Sequence, residues 1–282
     1  MHLFNVDDGT EKLDKDTVHL FHHLVTKLLY LSRRSRQDIQ TAVAFLYTRV
    51  QSPDMDDYKK LTSVMKYICN TRDITLTMEA GDGPKWWVDS SYAVHLDMRS
   101  HSGIFMSLGK DTASSASSKQ KLNMKNSKEA ELVAIDDSMG QILWSRHFLV
   151  AQREHVPITT IYQDNKSTIL LADNRKTSSS KRTRHLNFRY FFIMDKIKKG
   201  KVTYCPMQEM LGGLFTKPLE GTQFVWMRSK ILNLPSSSST AVHRSVLEND
   251  KDPSSNVKTT RSNTILKGNK AVIGGGDGNS KL

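Results

Sequence analysis

Lys85-Trp86-Trp87-Val88-Asp89-Ser90-Ser91-Tyr92-Ala93 is the stretch on which the fold turns. Aromatic and β-branched residues dominate it, Pro84 stands at its start, and Gly81 and Gly83 come just before, so it reads as a strand. Asp89 lies near its end, and strand propensity gives no reason for an acid there. An acid at a strand terminus facing water is the ordinary account. The other account comes from two later carboxylates, Glu131 and Asp164. They fall where a β-hairpin, a helix and a further strand would bring them back to Asp89. Three carboxylates from different elements, meeting at one sheet end, make a site for hard divalent cations.

Downstream, His101–Leu108 reads as a second strand. Thr112–Ser118, small and polar, is either a third strand of a meander or a Ser-rich loop. Asn126 can cap a helix with Glu129 three residues on. That helix carries Leu132, Ile135, Met139, Ile142, Leu143, Leu149 and Val150 on one stripe, with Glu131 at its edge. Glu129 is explained as a cap; Glu131 is either a metal ligand or a solvated border residue. After Pro157, Ile158–Asp164 is an apolar β-rich run that ends on an acid and suits a central strand after a crossover helix. Asn165–Ala172 turns straight into a helix. Asp164 is therefore an N-cap, or a ligand at the carboxyl end of a strand, where α/β sheets place their sites.

Upstream, residues 1–16 lack periodicity and read as a flexible lead-in. Residues 17–50 read as helical, broken at Ser32–Arg36, and Pro53 stops the run. A further helix is expected from about Asp56 to Asn70, with Asp56 and Asp57 as its negative first turn. Residues 72–79 alternate and read as a strand. Nothing in 17–80 has a catalytic pattern: His22 and His23 are adjacent, so on a helix they point about 100° apart. The most basic window holds Arg175, Lys176, Lys181, Arg182 and Arg184 among serines, and suits phosphate contacts or a solvated loop. A helix rich in Phe and Tyr is expected next, then a strand at 201–205, then Met210–Leu219, where a short helix should open, and a last helix near 222–232. From 235 to 282 the serine and glycine runs predict a disordered tail.

Composition sets the class. The chain has 282 residues, a 38% hydrophobic content below the usual range of about 45–50%, and a formal charge of +12. The charge points to a polyanionic partner, nucleic acid before anionic membrane. Two distant cysteines, Cys69 and Cys205, give no disulfide framework and no zinc spacing, which suits a reducing compartment. The N-terminus has no signal-peptide pattern, and no apolar run approaches a membrane span.

Several short motifs carry a resemblance. Ser127-Lys-Glu-Ala-Glu131, Tyr162-Gln-Asp-Asn165, Thr183-Arg-His-Leu186 and Leu214-Phe-Thr-Lys-Pro-Leu219 resemble the ribonuclease H domain of Ty1/copia-type retrotransposon Pol polyproteins over residues 84–219. Phe21–Leu31 and Arg36-Gln-Asp-Ile39 resemble the segment joining reverse transcriptase to that domain. The resemblance implies an α/β, ribonuclease H-like fold: a mixed five-stranded sheet with flanking helices. It divides the chain into a lead-in at 1–16, a helical connection at 17–80, a ribonuclease H-like domain at 81–234 and a tail at 235–282. No Tyr-x-Asp-Asp polymerase motif is present, so the chain resembles the C-terminal piece of a polyprotein. The remainder of that polyprotein, or the reverse transcriptase, would be its partner, in a cytoplasmic virus-like particle or the nucleus, with no membrane.

Carried over residue by residue, the family's first Asp falls on Asp89, its Glu on Glu131 and its next Asp on Asp164. The family's fourth acid, three residues before the motif Thr, falls on Gly213, and the acid often found two residues after the first Asp is Ser91 here. The implied activity is cleavage of the RNA strand of RNA–DNA hybrids with two magnesium ions, manganese serving as substitute. With Gly213 at the fourth position, the water-activating ion is weakly held. The alternative is a catalytically dead nucleic-acid-binding relic of the same fold; a non-nuclease interaction protein using the basic tail is a third reading. His185 and Asn187 are the neighbours that could substitute for the missing acid.

Overall fold

The computed structural model describes residues 3–7, 9–173 and 200–235. Helix α1 (Lys15–Arg34) starts where the Asp14 side chain accepts from the backbone N–H groups of Asp16 and Thr17. A short 3₁₀ turn (Gln37–Ile39) leads into α2 (Gln40–Arg49). Helix α3 (Met55–Asn70) opens on a capping box in which Asp54 and Asp57 satisfy each other's backbone N–H, and Arg49 bridges both carboxylates. Asp57 is thus more than a negative first turn: it closes a buried cap.

Next come β1 (Ala80–Ser91), β2 (His101–Gly109), β3 (Ser114–Lys119), α4 (Ser127–Ala151), β4 (Thr159–Gln163), α5 (Lys166–Asp173) and β5 (Gly200–Tyr204). The chain then makes 3₁₀ turns at Met207–Glu209 and Leu211–Phe215 and ends in α6 (Gly221–Ile231). The sheet order is β3-β2-β1-β4-β5. β1, β2 and β3 form an antiparallel meander, while β4 runs parallel to both β1 and β5. This is the mixed five-stranded sheet with flanking helices that the resemblance implies. The Ser-rich segment is the third strand, its serines pairing with β2 from Met106 to Ser102.

Period-two alternation divides the core into two layers. On one face, Trp86, Val88, Met106, Ile161 and Val202 meet Leu132, Ile135, Met139 and Ile142 of α4. On the other, Phe105 packs with Leu214 and Phe215 and with the apolar stripes of α1, α2, α3 and α6. Residues of 17–80 therefore share one core with the sheet.

Two expectations are corrected. Residues 72–79 form no strand; their alternation reflects Ile74 and Leu76 packing against the core, and the Thr77 N–H goes to the Leu232 carbonyl at 3.0 Å rather than to a neighbouring strand. The lead-in is not loose: Leu3 and Phe4 are buried, and Phe4 meets Phe45 edge-on with centroids 5.6 Å apart. The short helix expected at the start of Met210–Leu219 is present as a 3₁₀ helix, Leu211–Phe215. The helix expected at 188–199 and the tail from 236 lie outside the described residues.

Candidate active site

Asp89 reaches the site because β1 and β4 run parallel in register, with Trp87 opposite Tyr162. Asp89 and Asp164 each stand two residues beyond that pair, on neighbouring strands about 4.8 Å apart. Helix α4 covers the other face of the sheet and brings Glu131, in its second turn, over the strand ends. One oxygen from each of Asp89, Glu131 and Asp164 lies within 4.8 Å of the others. Glu129 is the cap instead: its N–H donates to the Asn126 side chain at 3.0 Å and its carboxylate accepts from the Lys125 N–H at 2.9 Å. Asp164 is not the cap of α5. Asn165 takes that role, its side chain accepting from the N–H groups of Ser167 and Thr168.

Burial and mutual repulsion set the electrostatics. Glu131, 5% exposed, has its pKa pushed well above the ordinary carboxylate range by burial first, then by Asp89 and Asp164. Asp164 is pushed up by burial and by Asp89, with Lys217 partly offsetting both. Burial works against the Lys217 ammonium, but Asp89, with Asp164 and Glu131 behind it, holds its pKa above the usual lysine value.

The two Asp89 oxygens differ. Oδ2 accepts a short hydrogen bond from Thr216 Oγ1 and lies 3.2 Å from Lys217 Nζ. Oδ1 is buried and, among the described residues, has no hydrogen-bond partner. An orphaned carboxylate oxygen beside two further carboxylates is costly without a cation and is what a hard divalent ion would ligate. The residues therefore fit the magnesium or manganese that the resemblance implies.

Gln163 was not singled out from sequence. Its Nε2 donates to Glu131 Oε2 at 3.1 Å, and its Oε1 accepts from the Asp164 and Asn165 N–H groups at 2.8 and 3.2 Å. The signal was present: along β4, Thr159, Ile161 and Gln163 alternate inward, so an amide falls at a buried position. Thr216 and Lys217 sat within a quoted motif without an assigned role. Gly213 is in the 211–215 turn, and a Cβ built on it would stand 3.7 Å from Asp89 Oδ2. The missing fourth acid would thus face Asp89. Ser91 is buried. Arg175, Lys176, Lys181, Arg182, Arg184, His185 and Asn187 lie outside the described residues.

No family model matches the chain. It is similar to the retrovirus-related Pol polyproteins from transposons RE2 and RE1 of Arabidopsis thaliana, with 28% and 27% identity over 224 residues, covering 75% of this chain and 15% of each relative. The Pol polyprotein from transposon TNT 1-94 of Nicotiana tabacum is 24% identical over 204 residues, 71% of this chain and 15% of the relative. Solved structures that align include LC11-RNase H1 isolated from compost, with TM-score 0.36 and 10% identity over 45% of this chain and 87% of that one. The complex of LC11-RNase H1 with an RNA/DNA hybrid gives TM-score 0.35 and 8% identity, over 45% of this chain and 88% of that one. The curated homologues of this chain are thus retrovirus-related Pol polyproteins from copia-type transposons, of whose length it spans 15%.

Proposed function

We propose that residues 81–234 perform ribonuclease H-type hydrolysis of the RNA strand of RNA–DNA hybrids, assisted by divalent metal, as one part of a retrotransposon Pol polyprotein. The observation that carries this reading is the convergence of Asp89, Glu131 and Asp164 from three elements at one sheet end, with Asp89 Oδ1 buried and unpartnered among the described residues. The likeness to Pol polyproteins and the mixed-sheet topology support it. Magnesium or manganese held there would lower the pKa of a bound water and stabilise the leaving oxygen of an in-line displacement.

The chain's own residues prepare that chemistry. Gln163 fixes the Glu131 carboxylate and the backbone at Asp164 together, so two ligands move as a unit. Thr216 holds Asp89 Oδ2 and thereby sets the direction of Oδ1. With its pKa raised, Glu131 Oε carries a proton more readily than an ordinary carboxylate, and must release it when a cation binds. The hybrid and the rest of the polyprotein are the proposed partners. The basic residues at 175–184 would contact the phosphates.

The test is cleavage of a hybrid with labelled RNA and DNA strands, in magnesium and in manganese, by the parent and by Asp89→Asn. We expect RNA-strand cleavage that Asp89→Asn abolishes. Cleavage that survives Asp89→Asn would remove these carboxylates from the reaction. A second reading, the non-cleaving relic, is favoured by Gly213 and by the Lys217–Asp89 ion pair. Hybrid binding without cleavage in either metal would select it.

A further inference from the structure

Two features of the 211–219 segment address the same atom. The position of the missing acid, Gly213, looks onto Asp89 Oδ2, where an added Cβ would be 3.7 Å away. The Lys217 ammonium already lies 3.2 Å from that oxygen. Its approach is built into the backbone: the Gly213 carbonyl accepts from the N–H groups of Thr216 and Lys217 at 3.3 and 3.1 Å. Thr216 Oγ1 takes the same Asp89 oxygen. Oδ2 is therefore occupied on the Gly213 side, and of the two oxygens only Oδ1 lacks a partner among the described residues.

We propose that the Lys217 ammonium stands where a second cation would otherwise sit, so that this site loads one divalent ion, on Asp89, Glu131 and Asp164. The inference deepens the metal-assisted reading above and rests on it. Charge agrees with geometry. Three ionised carboxylates and one ammonium sum to −2, which one divalent ion neutralises. A second ion would bring the cluster to +2 and would share Asp89 Oδ2 with an ammonium, with no carboxylate from position 213 to offset the repulsion. A single ion also fits a ligand set of three carboxylates, completed by water, as magnesium and manganese are usually held.

The test counts Mn²⁺ on the intact chain, by loss of the free-ion electron paramagnetic resonance signal and by calorimetry. We expect one ion per chain, absent in Asp89→Asn. Lys217→Met, which keeps the length of the side chain and removes its charge, should tighten that ion at least tenfold. Lys217→Gln should do the same and serves if the methionine variant fails to fold, as judged by its thermal unfolding. Gly213→Asp should bind two ions. Two ions in the parent would overturn the inference and leave the cation site standing. No ion in the parent would overturn both. An unchanged affinity in a folded Lys217 variant would show that the ammonium does not fill a cation position.

Discussion

Gly103 and Gly212 meet backbone to backbone: a Cβ on Gly103 would lie 2.6 Å from the Gly212 carbonyl oxygen. The same atom would be 2.6 Å from Thr216 Cγ2 and 2.9 Å from Phe215 Cβ. Gly103 pairs directly with Asp89 across the β1–β2 ladder. The 211–215 turn can therefore hold Thr216 against Asp89 only because β2 has no side chain at that point. Gly103→Ala should displace the turn and cost about 1–3 kcal/mol, as overpacked cores do. Urea unfolding checks it through the midpoint at constant slope. An unmoved midpoint would mean that the turn gives way freely. Gly212→Ala, whose Cβ would meet Trp87 O at 3.1 Å and Asp89 N at 3.2 Å, should cost less.

A second expectation concerns the Arg36-Gln-Asp-Ile39 segment. Arg36 and Asp38, 5% and 4% exposed, make a two-pronged ion pair at 3.0 and 2.8 Å. Tyr67 donates to Asp38 at 2.7 Å and accepts from Arg228 of α6 at 3.1 Å; Arg36 also donates to the Thr71 carbonyl. Asp38→Ala would leave the buried Arg36 guanidinium without its carboxylate and the Tyr67 hydroxyl without its acceptor, so a loss of about 3–5 kcal/mol is expected. Tyr67→Phe removes one hydroxyl and should cost about 1–2 kcal/mol. The pair of variants, measured by thermal unfolding, separates the charge from the hydroxyl. Equal effects would contradict this ordering.

The buried histidines give a pH dependence. The Ser117 hydroxyl donates to the Phe215 carbonyl at 2.8 Å, so it accepts from His101 Nε2–H at 2.7 Å. His101 Nδ1 must then accept from His95 Nε2–H at 3.0 Å. A second proton on His101 would face that N–H. Burial lowers the pKa of His95 to about 4, with Lys119 adding to it and Asp97 opposing, and lowers His101 to about 3, with His95 and Lys119 adding. The unfolded chain binds protons near pH 6.5 and the folded one does not, so the unfolded state gains as pH falls below about 6.5. Stability should decline from about pH 6.5 to 4, by at most ~1.4 kcal/mol per pH unit for each histidine. His95→Asn with His101→Asn should flatten that limb in urea titrations at successive pH values. An equally steep limb in the double variant would exclude the pair as its source.

What the sequence could reveal followed its local signals. Asp89 and Asp164 were legible because each is an acid ending a β-rich run, and Glu131 because Glu129 was already explained as a cap. Arg36 was not, since a basic run reads as a solvated break, and nothing local reports that its partners lie at Asp38, Tyr67 and Thr71. Lys217 belongs to the same class: it meets Asp89 across 128 residues of chain, through a turn that packs only because Gly103 and Gly212 are bare. Leu3 and Phe4 looked like a lead-in because a short segment has no period to show. Most strands, by contrast, were legible as β-rich runs bounded by turn residues, apart from residues 72–79, where Ile74 and Leu76 pack against the core without forming a strand.

The final expectation is that restoring the fourth acid restores the rate. A Cβ built on Gly213 would meet, among the described residues, only Asp89 Oδ2, at 3.7 Å, an ordinary van der Waals contact, so the first carbon of an aspartate there meets no steric bar. Its N–H, donated to Met210 O at 2.8 Å, survives the change. The new carboxylate would compete with Asp89 Oδ2 for the Lys217 ammonium and supply the ligand that a water-activating ion lacks. Loss of one preorganised electrostatic group costs about 10²–10³ in rate in other sites, so its return should give at least about tenfold. We expect the parent to cleave hybrid weakly and better in manganese, which binds such ligands more strongly than magnesium. Gly213→Asp should raise the magnesium-dependent rate, and Asp89→Asn in that background should abolish it. A Gly213→Asp chain that takes up metal and hybrid but cleaves no faster than the parent would show that the absent acid is not what limits this site.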